Sequence, residues 1–591
     1  MQLTEENKYL FRRQILGLIF ILAGTFTLFS PSLSNQFVNL DDGKFLLFYP
    51  LIRDFSWAGI GHIFYSYFLG RNAPVIPLTD VFYALECHFF QLVPFYYHLV
   101  SILVHLGNVI LVFCLVNLLA KDRVIPILTA LLFAAHPINA EAVVWVSAQK
   151  ELFYTFFFLA AVISYIYWRR DPAKPWLLRL TFGLFLLSLL SKASAVTLPI
   201  ILIMVERQEG NLQISPAFLR RMFIFLLTGL FFGLWTLYAN YISTNFTGDE
   251  YFASTKYFSF FERFVISGEA LLTYVGCALA PFALSCYHLF SMEYVHGKLF
   301  LSGIFLGMAG WYLIAALFLF RQKLPGWFFF GFGWTFFILF PVLHMIQMND
   351  SLIYERFFYL PSVGFFFLLA SAIRGGTRHP EGRMVTAKLK SILGAALVVY
   401  FAMFLVVTEC RCFVWRNTLT LWYDAIKKNP NYVLPYTQLG KYYEFQGDYK
   451  EAQKYYKGVL SLNKDHKEAL YGMGRVWLKL KEYRKAIGVL SQALSIDPTN
   501  NQALLTDRGV AYRLIGDSVK AKKDFDMALM FSPDFIIALR NRMFLLMEQK
   551  KYQLALADCE YALKINPRDI VFLTNQKILQ QLISKAGKSG K

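Results

Sequence analysis

The chain has 591 residues, of which 57% are hydrophobic, 18% aromatic and only 16% charged, with a net charge of +19. An average soluble domain carries about 25% charged residues, so a single water-soluble globule of ordinary make-up is excluded. The apolar excess is local. Residues 14–410 hold long apolar runs and residues 411–591 have the composition of a soluble helical domain, which sets a boundary at 410/411.

Residues 411–591 carry 30 Lys and Arg against 17 Asp and Glu, +13 of the +19. A basic surface can meet nucleic acid, anionic lipid or acidic protein. Beside a membrane the plainer account is a solvated helical face, and no nucleic-acid partner is expected. The seven Cys form no CxxC pair and lie mostly in apolar stretches, so neither a disulfide framework nor a zinc site is expected.

A bilayer crossing needs roughly 20 mostly apolar residues. About eleven segments qualify: 14–30, 97–119, 124–145, 152–168, 176–191, 193–206, 222–242, 298–320, 326–345, 357–373 and 391–409. The stretch 268–290 is also apolar, but it holds Glu269, Pro281 and His288 and is read as interfacial or re-entrant. The first segment follows Lys8, Arg12 and Arg13 without a clear small-residue cleavage site, so it is read as a retained helix. With the N-terminus cytoplasmic, Lys and Arg concentrate in alternate connections, among them Lys121 and Arg123, then Arg169, Arg170 and Lys174, then Arg321 and Lys323. Eleven spans place the tail outside the cytoplasm, in a bacterial periplasm or in the lumen of the endoplasmic reticulum.

The opposite connections hold ionisable residues at or inside span ends: Asp41, Asp42, Arg71, His136, Glu141, Lys150, Glu151, Lys192, Glu355 and Arg356. Charges at such depth are costly and usually face a cavity or each other. A polar cavity between the helices on that face is therefore expected.

The tail repeats. Ala452, Ala486, Ala521 and Ala555 are spaced 34, 35 and 34 apart, and Pro498, Pro533 and Pro567 each follow an Ala by five. Leu439-Gly440 recurs as Met473-Gly474, and Gly509 keeps the phase. Small residues let paired helices approach, and Pro stops the second helix of each pair because it lacks an N–H and clashes with the preceding turn. This is the tetratricopeptide pattern. Four full repeats are expected at about 434–467, 468–501, 502–536 and 537–570, then a capping helix to about 585. Ala425 and Pro430 mark a half-repeat joining the last span to the array. Such arrays form concave binding surfaces. Aromatics such as Tyr455, Tyr456 and Trp477 are more often core than ligand platform.

The outer residues lie in a fixed order of motifs. Phe37-Val-Asn-Leu-Asp-Asp42 follows the first span. His98-Leu-Val-Ser-Ile-Leu-Val-His105, His136-Pro-Ile-Asn-Ala-Glu141 and Lys150-Glu151 come next, then Ser191-Lys192 and Tyr354-Glu-Arg-Phe-Phe-Tyr-Leu-Pro-Ser362. In this order, ahead of the repeats, they resemble the transmembrane and tetratricopeptide-repeat O-mannosyltransferases and their bacterial relatives. The resemblance implies an all-α GT-C fold: a polytopic glycosyltransferase that uses a polyprenyl-phosphate-linked sugar outside the cytoplasm, with an acidic residue of the first outer loop as acid/base. By position Asp41 or Asp42 inherits that role. Three positions depart from the family pattern: Ser101 stands where Asn is common, Ala193 where an acidic residue is common, and Lys150 where Arg is common. They bear on which sugar is used.

The chemistry needs a base, cations and an apolar groove. The acceptor hydroxyl must lose a proton to a carboxylate, which makes one of Asp41 and Asp42 the base and the other its orienter, with Asp41 preferred. The phosphate leaving group needs cations, which nominates Arg356 with Lys192 or Lys150. Arg71 belongs to the same outer set. Glu141 is expected to bind sugar hydroxyls or orient the base, and His136 to do the same or cap a helix. The competing structural accounts are N-capping by the Asp pair, a Glu355–Arg356 ion pair, and buried hydrogen-bonded His98 and His105. A divalent cation is compatible with the Asp pair, though no full ligand set is visible. The implied partners are the lipid-linked donor, the bilayer and an acceptor protein recruited by the repeats. Rival functions are a non-catalytic membrane-anchored repeat scaffold and a transporter. The transporter account predicts an echo between membrane halves that the sequence does not contain.

Overall fold

The computed structural model describes residues 5–69, 76–120, 122–210, 213–247, 259–289, 300–319, 324–345, 351–376, 387–496 and 501–589. Among the described residues all regular structure is helical. The chain divides into two compact units, Met1–Lys428 and Asn429–Lys591.

The first unit runs through α1 (Glu5–Phe29), α2 (Trp57–Leu69), α3 (Pro77–Phe90), α4 (Pro94–Leu119), α5 (Ile125–Ala135), α6 (Ala140–Val144), α7 (Gln149–Arg170) and α8 (Pro175–Ser191). It continues through α9 (Leu198–Gln208), α10 (Pro216–Thr247), α11 (Phe260–Leu279), α12 (Phe300–Leu319), α13 (Gly326–Leu339), α14 (Pro361–Gly376), α15 (Ala387–Val414) and α16 (Thr418–Lys428). Among the described residues five helices are long and apolar enough to cross a membrane: Arg12–Ser34, Pro94–Leu119, Val146–Arg170, Pro216–Ala239 and Gly394–Val414. A sixth candidate is the pair Ile125–Ala135 and Pro137–Val144, bent by 52°. The other five expected segments lie on helices that fall short of that length or apolarity over the described residues, which hold five or six candidate crossings. Phe20, Phe223 and Phe305 stand exposed on α1, α10 and α12. Apolar faces of this kind belong against lipid, and the chain is a multi-pass membrane protein.

The stretch 268–290 is not one element. Its first part continues α11, which begins with a capping box between Ser259 and Glu262. The part beyond Leu279 has no regular helix. α11 crosses α12 through Gly268, Gly307 and Gly310, where an added Cβ would meet the backbone carbonyls of Gly307, Val265 and Gly268 respectively. Only glycine permits so close an approach.

The compact units divide at Lys428/Asn429, so α16, expected as a half-repeat, packs with the first of them. Its Trp422 indole donates to Asn39 Oδ1 at 2.7 Å, and its Asp424 pairs with Arg411 of α15 at 3.5 Å. Composition does not register such long-range polar contacts.

The second unit is four antiparallel helix pairs: α17 (Val433–Gln446) with α18 (Tyr449–Leu462), α19 (Lys467–Lys479) with α20 (Tyr483–Ile496), α21 (Gln502–Leu514) with α22 (Ser518–Phe531), and α23 (Ile536–Glu548) with α24 (Tyr552–Ile565). A terminal helix α25 (Ile570–Ser589) packs on α24 through Phe572 and Leu579. Pro498 lies outside the described residues. Gly440, Gly474 and Gly509 face Tyr456, Leu490 and Phe525 of the paired helix, each 16 positions on. The fourth repeat inverts the sizes, with Met543 and Cys559 both fully buried at those positions. Tyr456 is thus core, as is Val459 beside it. Arg508 forks onto Asp524 at 2.8 and 2.7 Å, and Arg542 forks onto Asp558 at 2.9 and 2.6 Å. Arg542 also reaches Asp526 of the preceding repeat at 2.7 Å, tying neighbours together.

Each pair turns through one left-handed residue: Gly447, Lys481, Gly516 and Lys550, with φ of 78°, 63°, 87° and 59°. A Cβ in this region costs about 1 kcal/mol or more. Lys481→Gly and Lys550→Gly are expected to slow hydrogen exchange of the flanking helices by reducing local opening. Faster exchange in both variants would refute that account.

Candidate functional site

Three of the motifs are helix breaks, and a proline opens or precedes the helix that follows each. Pro137 forces His136 into extended backbone (φ −72°, ψ 132°), because the residue before proline is driven from the helical region. The helix stops at Ala135 and restarts as α6, which carries Glu141. Lys192 is the extended residue that ends α8 (φ −160°, ψ 130°), ahead of a 3-10 turn and Pro199. Tyr354 is extended, Glu355–Phe358 form a 3-10 turn, and Pro361 opens α14. Broken helices at membrane depth are tolerated where protein or a water-filled cavity surrounds them.

The two aspartates have different tasks. Asp42 is buried, and its carboxylate accepts from Val38 N–H at 2.8 Å, Trp145 Nε1–H at 2.9 Å, Ser147 N–H at 3.2 Å and the Ser147 hydroxyl. It pins the loop to the α6–α7 junction and makes no side-chain cap to the following turn, so the N-capping account does not hold for it. Burial raises its carboxyl to about 6, against the opposing pull of the Ser147 and Val38 bonds. Asp41 is half-buried, and no hydrogen bond or salt bridge engages its carboxylate among the described residues. The loop is also held from its other side: Asn39 bonds Trp422, its N–H bonds Thr418 Oγ1 at 3.1 Å, and Gln36 N–H bonds Arg416 O at 2.8 Å.

Arg356 is buried and pairs with Glu141 Oε1 at 2.5 Å. Its guanidinium lies 4.0 Å from the Tyr354 ring centroid, 4.8 Å from Trp145 and 5.0 Å from Phe357. Stacked among aromatic rings, the guanidinium keeps its plane fixed. Arg356 Nε and Glu141 Oε2 are buried without a hydrogen-bond partner. Lys192 pairs with Glu151 at 2.5 Å and sits 4.0 Å over Phe357. Lys150 sits 4.8 Å over Phe45 of the segment that follows Asp42. The structure thus gathers Asp41, Glu141, Lys150, Lys192 and Arg356 from five separate segments into one charged, aromatic-walled region.

Glu355 and His136 are engaged by other partners. Glu355 and Arg356 do not pair with each other. Glu355 accepts from Ser285 N–H at 2.5 Å and from His288 Nε2 at 3.1 Å, and pairs with Arg411 at 3.3 Å. Consecutive residues of a 3-10 turn diverge, so Glu355 ties α15 to the segment after α11. His136 is wedged between Phe366 and Phe404 and caps the break by accepting from Ile138 N–H at 3.2 Å. His105 bonds the Tyr359 hydroxyl at 2.6 Å and Ala134 O at 3.1 Å, and His98 is buried on the same helix. Arg71 lies outside the described residues. Among the described residues no three His, Cys, Asp or Glu converge as metal ligands would.

Sequence reasoning missed α3. Thr79, Asp80, Tyr83 and Glu86 are buried along it. Thr79 Oγ1 donates to Ser191 O at 3.2 Å, Tyr83 OH to Val146 O at 3.0 Å, and Gln149 Nε2 to Glu86 at 3.4 Å. The available signal was two carboxylates within the apolar run 76–96.

Tetratricopeptide repeat families match residues 446–507 and 421–454. The chain is 24% identical over 463 residues to protein O-mannosyl-transferase TMTC3 of Mus musculus, covering 71% of this chain and 48% of that protein. It is 24% identical over 501 residues to protein O-mannosyl-transferase Tmtc3 of Drosophila melanogaster, covering 71% and 52%. The chain therefore spans about half the length of the curated relatives it matches. The crystal structure of YrrB, a tetratricopeptide protein, aligns at 18% identity with 28% of this chain and 84% of that one, at a TM-score of 0.25. Over the stretches matched, the chain is similar to these protein O-mannosyl-transferases and to tetratricopeptide repeats.

Proposed function

We propose that this relative of the protein O-mannosyl-transferases is itself an integral-membrane glycosyltransferase of the GT-C type. It transfers a hexose, mannose by its relatives' names, from a polyprenyl-phosphate donor to Ser or Thr hydroxyls of a protein on the non-cytoplasmic side. That side is the periplasm or the lumen of the endoplasmic reticulum, according to the host. The observation that carries this reading is the pairing of one unengaged carboxylate, Asp41, with a cluster of partly neutralised cations.

Asp41 takes the proton of the acceptor hydroxyl as its oxygen attacks the anomeric carbon. The bond between that carbon and the donor phosphate oxygen breaks, and both electrons leave with the phosphate. The anomeric configuration inverts in this single displacement. Arg356, Lys150 and Lys192 receive the developing charge on the leaving phosphate. Arg356 and Lys192 each already lean on a carboxylate, Glu141 and Glu151, which holds their positions before the donor arrives. Glu141 Oε2, without a partner, is free to accept a sugar hydroxyl. Asp42 keeps the loop in place, and the repeat array recruits the acceptor protein.

The test is purified full-length protein, a panel of polyprenyl-phosphate sugars and non-cytoplasmic acceptor proteins, with transfer followed by mass. A mass increment of one hexose on Ser or Thr is expected. Acceptors that stay unmodified with every donor, while an established O-mannosyltransferase modifies them in the same assay, would refute the reading.

A further inference from the structure

Equivalent positions of a repeat array meet equivalent packing demands, so the repeats serve as controls for one another. In the phase set by Ala452, Ala486 and Ala521, the third repeat departs from the first two. Val519 stands where they have Lys450 and Arg484, Met527 where they have Gly458 and Gln492, and Met530 where they have Ser461 and Ser495. The three share one face of α22, since they are eight and three positions apart. That face points outward: Val519 and Met530 are each 82% exposed and Met527 is 36% exposed. The buried residues of α22 are Ala521, Asp524, Phe525, Ala528 and Leu529, so the core does not need this row. Single exposed apolar residues are ordinary, but a row confined to one repeat marks a contact surface. Methionine suits it, being flexible and polarisable enough to fit an irregular partner.

The row borders a groove. A cavity of about 490 Å³ extends along α22 from Val519 and Lys523 to Lys551, and one of about 370 Å³ lies between α22 and α24 and reaches Tyr561. Asp526 and Met530 line both, which makes them continuous. Tyr561 holds the place of Met527 in the fourth repeat and is 42% exposed. The carboxylates of the groove already have cations. Asp526 pairs with Lys522 at 2.6 Å and with Arg542 at 2.7 Å, and Asp558 takes the Arg542 fork. Lys523 and Lys551 are exposed and form no salt bridge among the described residues. Four cations thus face two carboxylates across the groove, and the two cations left over flank the apolar row.

We propose that this groove on the third and fourth repeats binds an acidic peptide segment with large apolar side chains. The apolar side chains pack on Val519, Met530 and Tyr561, and the carboxylates pair with Lys523 and Lys551. Such a segment gives the repeats a handle on an acceptor protein. That purpose rests on the glycosyltransferase reading, whereas the binding itself does not.

Full-length protein in nanodiscs of zwitterionic lipid is titrated into a short labelled peptide of Glu, Leu and Phe and followed by fluorescence anisotropy, with empty nanodiscs as the baseline. Saturable binding that weakens as salt rises is expected, with no binding of a peptide carrying Lys in place of Glu. The Val519→Ser, Met530→Ser double variant is expected to bind about tenfold more weakly or worse, the scale of losing two apolar contacts. Arg484→Ala with Ser495→Ala, at the same positions of the second repeat, leaves binding unchanged. Lys523→Glu, which removes no apolar contact, weakens the acidic peptide and admits the basic one. Absence of wild-type binding, equal binding of the two peptides, or a Val519→Ser, Met530→Ser protein that binds as wild type overturns the proposal. So does an equal loss in the second-repeat variant. Self-association of wild type in sedimentation, abolished by Val519→Ser with Met530→Ser, would assign the groove to a second copy of the chain and overturn it too. Sugar transfer is measured separately, so wild type that binds the peptide yet modifies no acceptor sinks the glycosyltransferase reading alone.

Discussion

Asp41→Asn is expected to lower sugar transfer by about 10²–10⁴-fold, the usual contribution of a positioned general base, with little change in the unfolding midpoint. The carboxylate of Asp41 makes no hydrogen bond or salt bridge among the described residues, so the amide removes no contact that supports the fold. Its neighbour behaves oppositely. Asp42 accepts three N–H bonds and one hydroxyl bond, and an amide there would turn an NH₂ toward donors. Asp42→Asn therefore loosens the loop and lowers stability along with activity. Measuring transfer and thermal unfolding on both variants separates base from brace. Full activity in a folded Asp41→Asn protein would remove Asp41 from the chemistry.

Arg356→Met has the second large effect. It strands Glu141, which is fully buried with one oxygen already unpartnered. Breaking a buried ion pair from one side costs about 3–5 kcal/mol, so the unfolding midpoint should fall clearly. Adding Glu141→Gln to the same chain removes the stranded charge and should recover part of that stability. It should not recover transfer, because the cation for the leaving phosphate is still missing. The diagnostic is the split between the two readouts in the double variant. Recovered transfer would mean that Arg356 serves only to neutralise Glu141.

The repeat unit was legible in the chain because its information is local and periodic. Ala452, Ala486, Ala521 and Ala555 keep a constant phase, and small residues at fixed intervals dictate where two helices cross. Even the departure at Met543 is readable once Cys559 is seen opposite it, since the pair conserves volume between facing helices. The breaks at His136-Pro137 and before Pro361 were legible for a similar reason, as proline acts on the residues immediately before it.

The site residues divided along the same line. Their types and order could be read from the sequence, but their partners could not. Glu355 and Arg356 are neighbours in the chain, yet one faces Arg411 and the other Glu141. Asp41 and Asp42 are identical in kind, and only the positions of Val38, Trp145 and Ser147, whose donors reach Asp42, distinguish them. α3 went unread because Thr79, Tyr83 and Glu86 find their partners in Ser191, Val146 and Gln149, more than sixty residues away. α16 carried the marks of a repeat, while its Trp422 reached back to Asn39 across almost the whole first unit. Periodic packing and proline geometry act over a few residues, so the sequence alone determined the repeat array and the breaks at Pro137 and Pro361. Ion pairs and buried hydrogen bonds form between distant segments, so only the tertiary structure decided which carboxylate is free, which cations are paired and where the first unit ends.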